Sequence, residues 1–120
     1  MNAIKNKVQL IGNLGNNPDI RTLEGGKKMA RISLATSETY NNAKGEKITK
    51  TYWHNIVAWG KTADKAEQIL EKGSEVSVEG KLVSRSYVDK EGNKRYITEV
   101  DINQLELVNG KEKAEALKNN

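Results

Sequence analysis

The chain is expected to fold as an all-β protein, a five-stranded Greek-key barrel with one short helix between the third and fourth strands. Three features support this. Apolar and polar residues alternate with period two over five stretches, clusters of Gly, Asn, Asp and Pro separate those stretches, and a single short segment has its apolar residues at helical spacing. With 120 residues, there is enough chain for one domain around one core.

The elements follow in order. Residues 7–14 place Val8, Leu10 and Leu14 at even positions, with Gly12 where another inward side chain belongs, which reads as a strand with a bend. Asn16-Asn17-Pro18-Asp19 and Gly25-Gly26 are turns by composition, leaving room for a short strand over Ile20 to Leu23. Alternation returns from Lys28 to Ser37, with Ala30, Ile32 and Leu34 on one side and Met29, Arg31 and Ser33 on the other. The polar stretch from Tyr40 to Lys47 then closes a long hairpin into Ile48 to Trp59.

Thr62 is the expected helix N-cap, Ala63, Ala66, Ile69 and Leu70 form the apolar stripe, and Gly73 is the stop. From Glu75 to Tyr87, Val76, Val78 and Leu82 are expected inward, with Glu79, Lys81 and Arg85 outward. Asp89 to Asn93 turns the chain into a last strand, Lys94 to Leu107. Its apolar parity shifts between Ile102 and Leu105, which predicts a bulge. Five antiparallel strands with a helix after the third match the OB-fold. Residues 1–108 are read as that domain, and 109–120, lacking a sustained apolar face, as a flexible C-terminal tail.

Composition excludes much chemistry. There is no cysteine and one histidine, so a disulfide framework, a thiolate zinc site, a cysteine nucleophile and a multi-histidine metal cage are all ruled out. No catalytic residue, metal or cofactor is expected. No stretch approaches the roughly 18 apolar residues of a membrane span, and Met1-Asn2-Ala3-Ile4-Lys5 opens no signal-peptide core. A cytoplasmic protein without membrane contact is expected. The net charge is +4, and residues 1–60 carry nine basic against four acidic side chains. That asymmetry favours a polyanionic partner, although a solvated face explains it almost as well.

The aromatic residues say more. Tyr40, Tyr52, Trp53, Trp59, Tyr87 and Tyr96 are all there are, with no Phe. Trp53 and Trp59 are six residues apart and share a strand face unless a bulge intervenes. Tyr87 has the parity of Lys81 and Arg85, and Tyr40 lies at the mouth of a hairpin loop. Exposed rings interleaved with Lys and Arg suit unpaired nucleic acid, whose bases offer flat faces for stacking. The competing reading makes Trp53 and Trp59 core residues, and Val57 between them argues for partial burial.

Several ordered motifs resemble bacterial single-stranded DNA-binding proteins. They are Asn6-Lys7-Val8, Ile11-Gly12-Asn13-Leu14-Gly15, Pro18-Asp19-Ile20-Arg21 and Leu34-Ala35-Thr36-Ser37-Glu38. Trp53-His54, Trp59-Gly60-Lys61, Lys72-Gly73-Ser74, Val78-Glu79-Gly80-Lys81-Leu82, Arg95-Tyr96 and Thr98-Glu99-Val100 follow. The resemblance covers about residues 4–108 and implies sequence-independent binding and protection of single-stranded DNA in replication, recombination and repair. It puts stacking on Tyr40, Trp53, Trp59 and Tyr87, and phosphate contacts on Lys61, Lys72 and Arg85. Lys7, Arg31 and Lys81 complete the basic set expected to contact phosphates.

The resemblance also implies a homotetramer, with Asn6, Val8, Leu10 and His54 at subunit interfaces. The acidic, aromatic tip by which relatives recruit other replication proteins is absent from the short, slightly basic end. Recruitment by that route is not expected, and a phage or plasmid version or a shortened chain would fit.

Other readings stay open at this stage. Gly60-Lys61-Thr62 imitates the end of a P-loop, but that motif requires Gly at position 55, where this chain has Asn55. Glu99 with Asp101, and Asp89 with Glu91, would supply a metal-dependent nuclease, although surface solvation explains both pairs. The same barrel could instead serve as a protein-interaction or RNA-binding module of a replication or recombination complex.

Overall fold

A computed structural model of the chain describes residues 5–108. The elements are β1 (Val8–Leu14), β2 (Asp19–Thr22), β3 (Lys28–Asn41), β4 (Lys47–Trp59), α1 (Lys61–Ile69), β5 (Glu75–Val88) and β6 (Lys94–Leu107). The short strand allowed for after Pro18 does form, so the helix that follows the third long strand lies between β4 and β5. The predicted tail falls outside the described residues.

The strands run in the order β1-β5-β6-β4-β3-β2, and a further β1–β3 pairing closes the five long strands into a barrel, with β2 added to the edge of β3. Closure needs β1 to leave β5 and reach β3, which it does at Asn13 and Leu14, opposite Ala35 and Leu34. Gly12 sits at that crossing. A Cβ there would lie 2.1 Å from the Ala35 carbonyl oxygen, so the bend read from the sequence is a close approach of two backbones.

One pairing departs from the all-antiparallel expectation. β4 and β6 run parallel through Ile56↔Val100 to Ala58↔Ile102. The α1 crossing and the β5–β6 hairpin bring β6 back in the direction of β4, and alternation within a strand carries no information about that direction. The predicted bulge is present. Glu79 faces Gln104 while Gly80 faces Ile102, leaving Asn103 as the extra residue on β6.

Two hairpin loops share one design. Asn42 Oδ1 accepts the Lys44 and Glu46 amides at 2.9 Å, and Asp89 Oδ1 accepts those of Glu91 and Asn93 at 2.9 and 2.8 Å. In each loop the glycine three residues on donates its amide back to the Asx carbonyl.

The barrel interior holds Leu34, Ile56, Val76 and Leu105, fully buried, and α1 covers it with Ala63 and Ala66, followed by Leu70. Lys28 ties α1 to β3 by pairing with Asp64 at 2.8 Å and with Glu67. The helix begins two residues earlier than expected: Gly60, not Thr62, is the N-cap, and no side chain caps it. Leu82, expected inward, is exposed: its partner Val100 is buried, but the pairing of β5 with β1 ends at Val8↔Gly80, so Leu82 lies past the end of β1. Among the described residues no helix is long and apolar enough to cross a membrane.

Candidate nucleic-acid interface

The β3–β4 ladder runs without a register shift from Met29↔Trp59 to Asn41↔Lys47, so Trp53, Asn55, Val57 and Trp59 share the outer face of β4. Val57 is buried there, Trp59 is half-buried and Trp53 is 62% exposed. The core-filling reading therefore fails for Trp53 and holds in part for Trp59. Lys27 Nζ lies 4.8 Å from the centre of a Trp59 ring, a cation–π contact.

The same outer surface continues across β6 and β5. Val57 pairs with Asp101, Glu99 with Val83, and Arg95 with Tyr87, which carries Tyr87 (46% exposed) onto this face with Arg85. Tyr40 is 43% exposed but lies on the other pleat face of the β3–β4 hairpin, the side of Thr36 and Tyr52. Tyr52 donates its hydroxyl to Glu38 at 2.9 Å, which raises its pKa above the ordinary tyrosine value. The structure thus groups Trp53, Trp59 and Tyr87 on one surface and sets Tyr40 on the back of a hairpin arm.

Between Trp59 and Arg85 lies a groove of about 430 Å³, walled by Met29, Val57 and Val83 and floored by Glu99. Glu99 is only 3% exposed, so solvation does not explain it. Its Oε1 accepts Arg85 Nε at 2.9 Å, and its Oε2 accepts Arg31 Nη1 at 2.9 Å and Arg85 Nη2 at 3.4 Å. Burial pushes the Glu99 carboxyl up, but the hydrogen bond and charge of Arg85 and the charge of Arg31 outweigh it and hold the pKa below the usual glutamate value. Bonding to Glu99 in turn raises the Arg85 pKa.

Both carboxylate oxygens of Glu99 are thus occupied by guanidinium groups, and Asp89 is held by Arg95 at 2.8 Å. Among the described residues no group of three or more His, Asp or Glu side chains could hold a metal ion. Nothing in this arrangement supports the nuclease reading.

The remaining candidates are dispersed. Lys7 pairs with Glu79 at 2.9 Å and shares a second surface depression with Lys5 and Lys81. Lys61 opens α1, and Lys72 is exposed in the turn before β5, where its amide donates to Asn17 Oδ1 at 2.8 Å. Val8 and Leu10 pack against the core, and Asn6 works within its own chain, exchanging two 2.9 Å hydrogen bonds with the backbone of Leu82. His54 Nε2 and Thr36 Oγ1 share a 2.8 Å hydrogen bond.

Sequence reasoning missed Lys27, Glu99 as a buried residue, and the Lys50 cation 5.7 Å from the Tyr40 ring. Lys50 was accessible in principle, since the hairpin register sets it opposite Glu38, diagonal to Tyr40.

The single-strand binding protein family model matches residues 5–108, the whole of the described barrel. The chain belongs to this family. Relatives include a single-stranded DNA-binding protein 1 of Xylella fastidiosa, 44% identical over 111 residues, covering 92% of this chain and 82% of the relative. A single-stranded DNA-binding protein 1 of Chlorobaculum tepidum is 44% identical over 108 residues, covering 89% and 67%. The fold is similar to that of a Plasmodium falciparum SSB solved in complex with ssDNA, with a TM-score of 0.79 and 36% identity over 90% of this chain and 99% of that one. Single-strand binding family members are DNA-binding proteins without catalytic activity.

Proposed function

We propose that this member of the single-strand binding family binds single-stranded DNA without sequence preference, stacking unpaired bases on Trp53, Trp59 and Tyr87 and holding the phosphates with lysines around them. The observation that carries this is the placement of all three rings, two of them widely exposed, on one outer sheet face beside Arg85. Every base has a π-face and a duplex hides it, so binding is tolerant of sequence and weak for paired DNA. Tyr40, on the back of the hairpin arm, extends the stacking track to the far side of that arm. Removing free single strands from the annealing equilibrium protects them during replication, recombination and repair, in the cytoplasm.

Assembly into a homo-oligomer is supported by β1. Among the described residues its edge from Val8 to Gly12 pairs only with β5, and Ile11 on its outer face is exposed. A second copy could add its own β1 there. His54 and Asn6 act first within their own subunit.

Titration with oligothymidylate tests the reading. Strong quenching of tryptophan fluorescence is expected, with log affinity falling against log salt at a slope of roughly −3, for four or five phosphates at about −0.7 each. An absence of quenching together with retained protein-partner or RNA binding would favour the interaction-module reading.

A further inference from the structure

We infer that the groove between Trp59 and Arg85 is a nucleobase site, in which Glu99 is a positioning residue that presents Arg31 and Arg85 to base edges and not to phosphates. The inference rests on the single-stranded DNA reading and refines which part of the strand this site receives.

Glu99 is buried beneath both guanidinium groups and takes up Nε and Nη2 of Arg85 and Nη1 of Arg31. Two cations over one carboxylate leave a net charge of +1. A phosphate approaching either arginine meets the carboxylate behind it, so this pair neutralises less of the strand than two free lysines would. Two bonds to Glu99 fix the Arg85 guanidinium plane and one holds Arg31 beside it, and each arginine keeps N–H donors that Glu99 does not use. Those donors border a groove with apolar walls at Met29, Val57 and Val83 and an aromatic one at Trp59, its lining completed by Leu23 and by Arg21 and Asp101, whose opposite charges offset. A flat, uncharged base with carbonyl and ring-nitrogen acceptors on its edge fits that lining, whereas a hydrated phosphate would be desolvated against it. Lys7, Lys61, Lys72 and Lys81, outside the groove, are then left to carry the phosphate contacts.

The salt dependence of oligothymidylate binding separates the two roles. Arg85→Met should weaken binding about 3- to 10-fold at every salt concentration, the range for losing a hydrogen bond or two, with the slope changing by well under the roughly 0.7 expected for a phosphate contact. Lys72→Met, as the phosphate comparison, should make the slope about 0.7 less steep. Glu99→Gln leaves both arginines without an internal counter-ion, and its slope should steepen by about 0.7, a change that loss of folding stability alone would not produce. Circular dichroism establishes which variants fold. Should Glu99→Gln fail to fold, Arg85→Met still decides, because half-exposed Arg85 leaves Glu99 paired with Arg31. A slope for Arg85→Met that drops as far as that for Lys72→Met would overturn the inference and leave the DNA-binding reading standing. Failure of the unsubstituted protein to bind oligothymidylate would overturn both.

Discussion

The outer edge of the Trp53 indole abuts Gly15: a Cβ there would come within 2.4 Å of Cζ3 and 2.7 Å of Cη2, with Cε3 at 3.6 Å. Gly15 follows β1, and Ala35, the cross-strand partner of Trp53, is next to the β1 pairing at Leu34. The indole is therefore held at its outer edge against bare backbone while most of its surface stays open to solvent. A stacking platform needs that combination, because a ring free to swing loses entropy when a base settles on it.

Gly15→Ala should push the edge of the indole away from this contact. The ring is exposed and can move, so the melting temperature should change little, while affinity for oligothymidylate falls several-fold. Fluorescence titration and a thermal melt on the same variant measure the two effects separately. A large loss of stability with unchanged affinity would show that Gly15 serves the barrel and not the ring.

The two tryptophans should respond differently to truncation. Trp53→Ala is expected to weaken binding by about 1 to 3 kcal/mol with little cost to folding, since Trp53 is open to solvent. Trp59→Ala should lose a similar amount of binding and also lower the melting temperature, because Trp59 is half-buried opposite the buried Met29. Equal melting temperatures for the two variants would contradict the burial difference.

Gly12→Ala should be strongly destabilising. The added methyl group would meet the Ala35 carbonyl, which belongs to a paired strand and cannot rotate away. Overpacking of this kind costs about 1 to 3 kcal/mol or more. Denaturant unfolding should show the midpoint falling, and a variant as stable as the parent would mean that β1 reaches β3 by another path.

Stability should respond to acid through Glu99. Its folded pKa is depressed below the ordinary value of 4.5 by the two guanidinium groups, so the unfolded chain takes up the proton first as pH falls. The stabilisation is fully present above the unfolded value and is lost as pH drops through the folded one. Thermal melts should therefore be insensitive to this group from neutrality down to about pH 5 and fall below it. Asp89, held low by Arg95 and by the loop amides, acts in the same direction, so the comparison with Glu99→Gln isolates the groove.

Much of the candidate site could be read along the chain. The parity of Trp53 and Trp59 held because no bulge interrupts β4, and that of Tyr87 with Arg85 held because β5 is regular beyond Gly80. Glu99 was misread because its parity marks it as outward, and only the arrival of Arg31 and Arg85 from β3 and β5 buries that position. Likewise, nothing local to Lys27 shows that its cation reaches Trp59, a residue 32 positions away across the β3–β4 ladder.

The sequence by itself determined what depends on near neighbours: which residues alternate into strands, where Asx and Gly turn them, where β6 bulges, and which rings avoid the interior. Tertiary structure decided what depends on strands meeting. It set the parallel closure of β4 on β6, the bare glycine against the edge of Trp53, the separation of Tyr40 from the other rings, and the carboxylate beneath two arginines. The physical reason is that alternation assigns a side chain to a face at no cost in chain length. What that face meets is settled only when segments distant in sequence close the barrel.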